Sequence, residues 1–201
     1  MSSALSAPNS QLTDLRLSEN KKMEDSGVEQ LCEGLRSPNC KLETLGLWSC
    51  RLTVRCCSAM SSALSAPNSQ LTDLRLSENK KMEDSGVEQL CEGLRSPNCK
   101  LETLGLDSCG LTSACCSALS SVLSSPNSRL TYLNLNRNNL GDSGARQLIE
   151  GLRSDNCKLE KLGLQYNGIS GSVKRNLKLL QEELRRSGRH LTIYIREDQL
   201  W

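Results

Sequence analysis

Leucines and polar residues alternate in a pattern that repeats along the whole chain. The motif Leu-x-x-Leu-x-Leu begins six times, at steps of 29 or 30 residues: Leu12, Leu42, Leu71, Leu101, Leu130 and Leu159. Side chains along a strand point alternately to its two sides, so the leucines of each motif are expected to face inward and the residues between them outward. The pattern predicts six short strands, each buried on one side.

A helical pattern follows each predicted strand. In the first unit the apolar residues from Val28 to Leu35 lie on one helix face, Asp25 or Ser26 is expected to cap the N-terminus, and Pro38 ends the helix. In the alternating unit type, Thr53 is the expected cap. Each unit is therefore predicted to contain one strand followed by one helix.

A small polar residue stands three positions after the last leucine of every motif. Such a side chain can hydrogen-bond turning backbone that no sheet ladder satisfies. The six positions are Asn20, Cys50, Asn79, Cys109, Asn138 and Asn167. Strand, polar residue and helix at this period are typical of an α/β leucine-rich-repeat solenoid. We expect a horseshoe with parallel strands on its concave face and helices on its convex face.

A longer repeat is superimposed on the short one. Residues 1–47 recur without change as residues 60–106, a period of 59. We predict a single leucine-rich-repeat domain over 1–201, with a partial unit at 1–11, the six units above and a C-terminal cap at 172–201. Because residues 1–11 match only the later half of a unit, we expect the chain to be part of a longer protein.

Composition argues against several classes of function. The chain has 25 basic and 23 acidic residues, and aromatic residues make up 2%. Balanced charge and few aromatics disfavour binding to nucleic acid or to an anionic membrane. No apolar run is long enough to span a bilayer, and no signal peptide is visible, so a cytoplasmic protein without a cofactor is expected.

The eleven cysteines are the main candidates for chemistry. Most fall at inward positions of the repeat, where a thiol behaves as a small apolar group. No C-x-x-C motif occurs, and His190 is the one histidine in the sequence. A non-enzymatic protein without a metal is therefore expected. A cysteine-based enzyme or metalloprotein is kept as an alternative, which metal analysis under reducing conditions tests.

The units resemble a known class of repeats. The motif Leu-Glu-Thr-Leu-Gly-Leu-x-Ser-Cys at Leu42 and the segment 138–145 look like the two unit types of ribonuclease-inhibitor-class repeats. The segment Ser-Pro-Asn-Cys-Lys-Leu-Glu at 37–43 is similar to repeats of NOD-like receptors, in particular the fish-type receptors that carry a NACHT domain. These receptors are cytosolic innate-immune sensors.

The resemblance implies a role in recognition and not in catalysis. NOD-like receptors bind nucleotide on a separate domain with a phosphate-binding loop, and no G-x-x-x-x-G-K-[ST] motif occurs here. The implied function is ligand sensing or autoinhibition, with an upstream nucleotide-binding domain in a longer parent chain. The alternative is a ribonuclease-inhibitor-like enzyme inhibitor, which a ribonuclease inhibition assay tests.

The outward strand positions are the predicted site for a protein partner. Trp48 stands where the duplicated segment has Asp107, so an exposed binding role is more plausible than a core role. Arg16 and Arg75 lie among acidic residues, and this mixed charge counts against a surface built for a strongly basic ligand. The predicted binding residues are Asp14, Arg16, Trp48, Asp73, Arg75, Asp107, Tyr132, Asn134, Arg137, Lys161 and Tyr166.

Overall fold

A computed structural model describes residues 2–195 of the chain. Seven strands of three residues form one parallel sheet in chain order. They are β1 (Asp14–Arg16), β2 (Thr44–Gly46), β3 (Asp73–Arg75), β4 (Thr103–Gly105), β5 (Tyr132–Asn134), β6 (Lys161–Gly163) and β7 (Thr192–Tyr194). The predicted solenoid is confirmed, with β7 as a seventh strand after the six units.

A helix follows each of the first six strands, and one short helix precedes β1. The helices are α1 (Ser2–Ser6), α2 (Glu24–Leu35), α3 (Cys57–Leu64), α4 (Glu83–Leu94), α5 (Cys116–Ser124), α6 (Gly141–Arg153) and α7 (Gly171–Arg186). Short 3₁₀ turns, Val54–Cys56 and Ser113–Cys115, lead into α3 and α5. The helices cover one side of the sheet, and we call its other side the concave face. None of the helices within residues 2–195 combines the length and apolar character needed to cross a bilayer.

The core is aliphatic and is formed by the motif leucines and the inward helix residues. In the second unit Leu42, Leu45 and Leu47 are all 1% exposed or less. All eleven cysteines are buried with unpaired thiols, as expected of residues that pack as small apolar groups. Apolar burial of this kind is the main stabilising contribution to a repeat fold.

The first unit is less well covered than its identical copy. Leu12 is 36% exposed, whereas Leu71, the same residue of the copied segment, is 3% exposed. The difference arises because β1 pairs only with β2, whereas β3 pairs with strands on both sides. Position in the stack, and not local sequence, therefore decides the burial of this leucine.

The predicted row of small polar residues holds the turns that leave the strands. The Oδ1 atom of Asn79 accepts hydrogen bonds from the backbone N–H groups of Cys50 and Leu52, each at 3.0 Å. Its Nδ2 donates to the carbonyl oxygens of Leu47 at 2.9 Å and Leu76 at 2.7 Å. One buried side chain thus satisfies the backbone of two successive units, which confirms its predicted structural role.

The prediction that Asp25 or Ser26 caps α2 is wrong. The helix begins at Glu24, and Met23 precedes it without a capping side chain. The carboxylate of Asp25 instead accepts from the N–H of Thr53 at 2.8 Å and from its hydroxyl at 2.6 Å, in the next unit. Side chains in the first turn of a helix point outward, and the unsatisfied N–H at the start of the following 3₁₀ turn lies within reach. Thr53 itself caps that turn, as predicted.

This clamp between units recurs at every second interface. Asp84 accepts from the N–H and hydroxyl of Thr112 at 2.9 and 2.6 Å, and Asp142 accepts from those of Ser170 at 2.7 and 2.8 Å. Burial raises the pKa of Asp84, but the hydrogen bonds from Thr112 outweigh it and lower the pKa below its ordinary value. The clamp therefore holds an ionised carboxylate.

The other interfaces are close helix contacts at a glycine. A Cβ atom on Gly93 of α4 would lie 2.4 Å from the carbonyl oxygen of Ser61 in α3. On Gly151 of α6 it would lie 2.6 Å from the carbonyl oxygen of Ser120 in α5. Only glycine allows backbones to approach this closely. Two kinds of interface, the carboxylate clamp and the glycine contact, therefore alternate along the stack.

The segment predicted as a C-terminal cap contains most of α7 and all of β7. Ser170 caps α7 by accepting from the N–H of Val173. The guanidinium of Arg189 donates to the carbonyl oxygens of Leu152, Ser154 and Cys157, each at 3.0 Å, and so ties the segment before β7 to the preceding unit. Residues 196–201 of the predicted cap lie outside the described residues.

Candidate functional site

The strand register arranges the concave face in rows that run across the sheet. The first row contains Asp14, Thr44, Asp73, Thr103, Tyr132, Lys161 and Thr192. The second row contains Arg16, Gly46, Arg75, Gly105, Asn134, Gly163 and Tyr194. Long side chains in the second row alternate with glycines up to Gly163. Seven of the eleven predicted binding residues lie in these two rows.

Each arginine of the second row is held by an aspartate of its own strand. Arg75 donates from Nε and Nη2 to the two carboxylate oxygens of Asp73, at 3.0 and 2.8 Å. Arg16 is bound in the same way to Asp14, with Nη2 at 2.9 Å from Oδ2. Because exposed ion pairs add little to stability, their main effect is to fix the direction of the guanidinium groups.

These ion pairs set the charge state of the groups they join. The hydrogen bond from Arg16 lowers the pKa of Asp14 below its ordinary value. The hydrogen bond to Asp73 raises the pKa of Arg75. Both strands therefore present a paired cation and anion at neutral pH, which confirms the mixed charge that the sequence indicates.

A groove of about 440 Å³ opens between these two strands at Gly46. Arg16, Asp73, Arg75 and Trp48 line it. Trp48 is 37% exposed, and it is among the few large apolar side chains that face solvent. The structure thus brings together four predicted binding residues around one opening. The same groove is also lined by residues outside the predicted set, which are Ser18, Thr44, Gly46 and Ser77.

The equivalent place in the duplicated segment has different contacts. Asp107 stands there instead of Trp48, and its carboxylate accepts from the hydroxyl of Ser77 and from Nδ2 of Asn134, the latter at 3.2 Å. Asp107 and Asn134 are therefore engaged with their neighbours. The two places differ at two positions: Asp107 replaces Trp48, and Asn134 flanks Gly105 where Arg75 flanks Gly46.

The remaining predicted residues lie toward the C-terminal end of the concave face. The guanidinium of Arg137 lies over the ring of Tyr166, 5.8 Å from its centroid, and the ring is 53% exposed. Such cation–π pairs are weak at exposed sites and leave both groups accessible. Lys161 is exposed, and Tyr132, its neighbour in the first row, is half-buried. These residues form a second region, separate from the groove.

Three of the buried cysteines are poorly suited to act as nucleophiles. Burial raises the pKa of the Cys32, Cys91 and Cys109 thiols to about 12, so these thiols are neutral at physiological pH. A thiol is nucleophilic as the thiolate, and neutral buried thiols are therefore inert. Within residues 2–195, no three His, Cys, Asp or Glu side chains converge as a metal site would require.

Comparison with known proteins finds repeats of the same kind in other proteins. A family model described as Leucine Rich repeat matches residues 9–32, 68–91 and 127–148. Human NACHT, LRR and PYD domains-containing protein 3 is 50% identical over 123 residues, which are 61% of this chain and 12% of that protein. Human NACHT, LRR and PYD domains-containing protein 14 is 54% identical over 99 residues, which are 49% of this chain and 9% of that protein.

The chain corresponds to a small part of these relatives, about a tenth of their length. Among solved structures, internalin C2 from Listeria monocytogenes is 16% identical with a TM-score of 0.46, over 92% of this chain and 80% of that chain. The repeat motifs, the alternating interfaces and the close relatives agree. The chain is a leucine-rich-repeat protein, and its repeats are about half identical to parts of NACHT, LRR and PYD domains-containing proteins.

Proposed function

We propose that this chain is a non-enzymatic protein-recognition module that binds a protein partner on its concave face. The observation that carries the proposal is the open groove at Gly46, where exposed Trp48 stands beside the fixed guanidinium groups of Arg16 and Arg75. Tryptophan and arginine supply much of the binding energy in protein interfaces. Fixed side chains also lose little conformational freedom on binding.

The names of the relatives support a proposal about the parent protein of this module. Their names include a NACHT domain, and we propose that the parent protein of this chain carries such a nucleotide-binding domain upstream. The repeat region then either senses a ligand or holds that domain inactive, in a cytoplasmic innate-immune receptor. The near-balanced charge of 25 basic and 23 acidic residues favours a protein partner over nucleic acid.

The test is a quantitative capture experiment with the chain as bait. Partners bound by the wild-type chain are compared by mass spectrometry with those bound by the W48A/R75A/Y132A variant. Leu179 on the convex side is 56% exposed, and L179A serves as the surface control. We expect a partner that the triple variant loses and the control keeps. A triple variant that captures every partner as before would falsify the proposal.

The duplication supplies a more exact comparison. W48D gives the first segment the residue of the second, and D107W gives the second that of the first. If the groove at Gly46 is the binding site, W48D abolishes capture and D107W retains it. The opposite result would move the site to the second segment.

A further inference from the structure

Three glycines, Gly46, Gly105 and Gly163, occupy the second row of the concave face, each between longer side chains of the neighbouring strands. The gap at Gly46 lies between Arg16 and Arg75. Neighbouring strands are about 4.8 Å apart, so the Cα atoms of these arginines are roughly 10 Å apart. This width admits one side chain from a partner between two guanidinium groups.

The two arginines keep hydrogen-bond donors for such a side chain. Each uses Nε and Nη2 on its own aspartate. Within residues 2–195 the Nη1 atoms of both arginines have no acceptor. The positive charge of Arg16 also acts on Arg75 and opposes the rise in its pKa that Asp73 causes. The two cations thus repel each other across the gap, and Asp14 and Asp73 offset part of that repulsion, since Asp73 also stabilises the charge of Arg16. An anion at the two Nη1 groups interacts with both cations at once.

The other two glycines already have polar side chains of this chain beside them. At Gly105 the flanking residues are Arg75 and Asn134, and Asp107 supplies a carboxylate beside them. At Gly163 the space is filled, because the Oδ1 atoms of Asn134 and Asn136 lie 2.8 and 2.9 Å from where a Cβ atom would stand. The Gly46 gap has two arginines, and Trp48 stands in the position of Asp107.

We infer that the Gly46 gap binds an aspartate or glutamate side chain of the partner, and that a large apolar side chain next to it in the partner packs on Trp48. The carboxylate accepts hydrogen bonds from Nη1 of Arg16 and of Arg75, in addition to those that Asp14 and Asp73 already receive. This inference rests on the proposed function and specifies the chemistry of its partner.

The experiment uses two capped peptides that differ in one residue. One has a central Asp-Tyr pair and the other an Asn-Tyr pair, and each is titrated into ¹⁵N-labelled protein at low ionic strength. We expect the Asp-Tyr peptide to shift the Trp48 indole N–H and the Arg75 Nε–H resonances. The Asn-Tyr peptide should bind about tenfold more weakly, because it loses the charge-assisted hydrogen bonds. Added salt should reduce the difference.

Two matched variants locate the binding. In G46L a side chain fills the gap, and in G105L the equivalent gap of the duplicated segment is filled. Cβ atoms there would stand 3.3 and 3.2 Å from the hydroxyl oxygens of Ser18 and Ser77, so the two substitutions disturb the fold to a similar degree. G46L should abolish the shifts and G105L should keep them. The comparison of the two peptides on wild-type protein does not depend on either variant folding.

Three results would overturn the inference: equal affinity for both peptides, unchanged binding by folded G46L, or no shift at millimolar peptide. These results are distinguishable from failure of the proposed function. If a captured protein partner depends on Trp48 but binds G46L normally, the recognition module stands and the acidic side chain is wrong. If no variant of the concave face changes capture, the proposed function itself fails.

Discussion

The close contact between α3 and α4 yields a quantitative prediction. In Gly93→Ala the new Cβ atom would lie 2.4 Å from the carbonyl oxygen of Ser61, whereas ordinary contacts begin at 3.4 Å. The obstacle is backbone, so no side-chain rotation relieves it. The two helices must therefore separate by up to about 1 Å, through a core in which Cys91 and Leu94 are buried.

The magnitude follows from two opposing contributions. Overpacking of a buried contact costs about 1–3 kcal/mol. Replacing glycine by alanine inside a helix gains about 1 kcal/mol. We therefore expect Gly93→Ala to lower the free energy of unfolding by up to about 2 kcal/mol. Gly34→Ala is the matched control, because both glycines lie in the same duplicated sequence and share the same intrinsic helix preference.

Gly34→Ala should be less destabilising than Gly93→Ala because the contacts at Gly34 are longer and lie in a short helix. A Cβ atom on Gly34 would meet the Leu5 side chain and the Ser2 carbonyl oxygen at 3.0 Å, both in the short helix α1. Urea denaturation followed by circular dichroism measures both variants, with the slope checked because repeat proteins can unfold in parts. We expect Gly93→Ala to lose about 1 kcal/mol more than Gly34→Ala. Equal or reversed stability would refute the proposed role of this contact.

Three further predictions concern stability. The free energy of unfolding should fall from pH 8 to pH 10, and Cys32, Cys91 and Cys109 together should account for about 4 kcal/mol of the fall, because their pKa is about 12 in the fold and near 9.0 once unfolded. Denaturation at each pH should show a fall that is shallower by about that amount in the triple alanine variant. Asp84→Ala should lower the free energy of unfolding by about 1–2 kcal/mol at pH 7. The loss should shrink once the pH falls below about 4, because the lowered pKa of Asp84 stabilises the fold only while the carboxyl of the unfolded chain is ionised. An equal loss of stability in Asp155→Ala, at an exposed position, would contradict the clamp. Glu83→Gly should stabilise the fold and Gly141→Ala should destabilise it, each by about 1 kcal/mol, because φ is positive at both positions, 53° and 59°. Thermal unfolding should show a higher melting temperature for the first variant and a lower one for the second, and the opposite signs would refute this.

The sequence predicts those parts of the fold that depend on periodicity. The leucines of each motif, the row that contains Asn79, and the Thr53 cap follow from spacing, because each needs only its own unit and the one beside it. Asp25 could not be assigned in this way. By sequence alone its carboxylate has two candidate partners, its own helix N-terminus and a residue 28 positions away, and only the distance between units decides between them.

The sequence likewise predicts only a part of the candidate site. Alternation along the strands places Arg16, Arg75 and Trp48 on one face, and the structure confirms that they line one groove. The alternation of glycine with arginine across neighbouring strands was the signal for Gly46, and it becomes visible only when the units are aligned in register. The hydrogen bonds of Asp107 could not be predicted in this way, because its partners Ser77 and Asn134 lie in other units.

The two alternating interfaces constrain how a chain of this kind can change in length. Copying a single unit would place two helices of the same type side by side, with either the glycine or the carboxylate missing from the new junction. Copying two units reproduces one junction of each type and disturbs neither. The 59-residue repeat is a duplication of this second kind. We therefore expect recombination that adds or deletes pairs of units to preserve both types of junction, and unit number to change in steps of two.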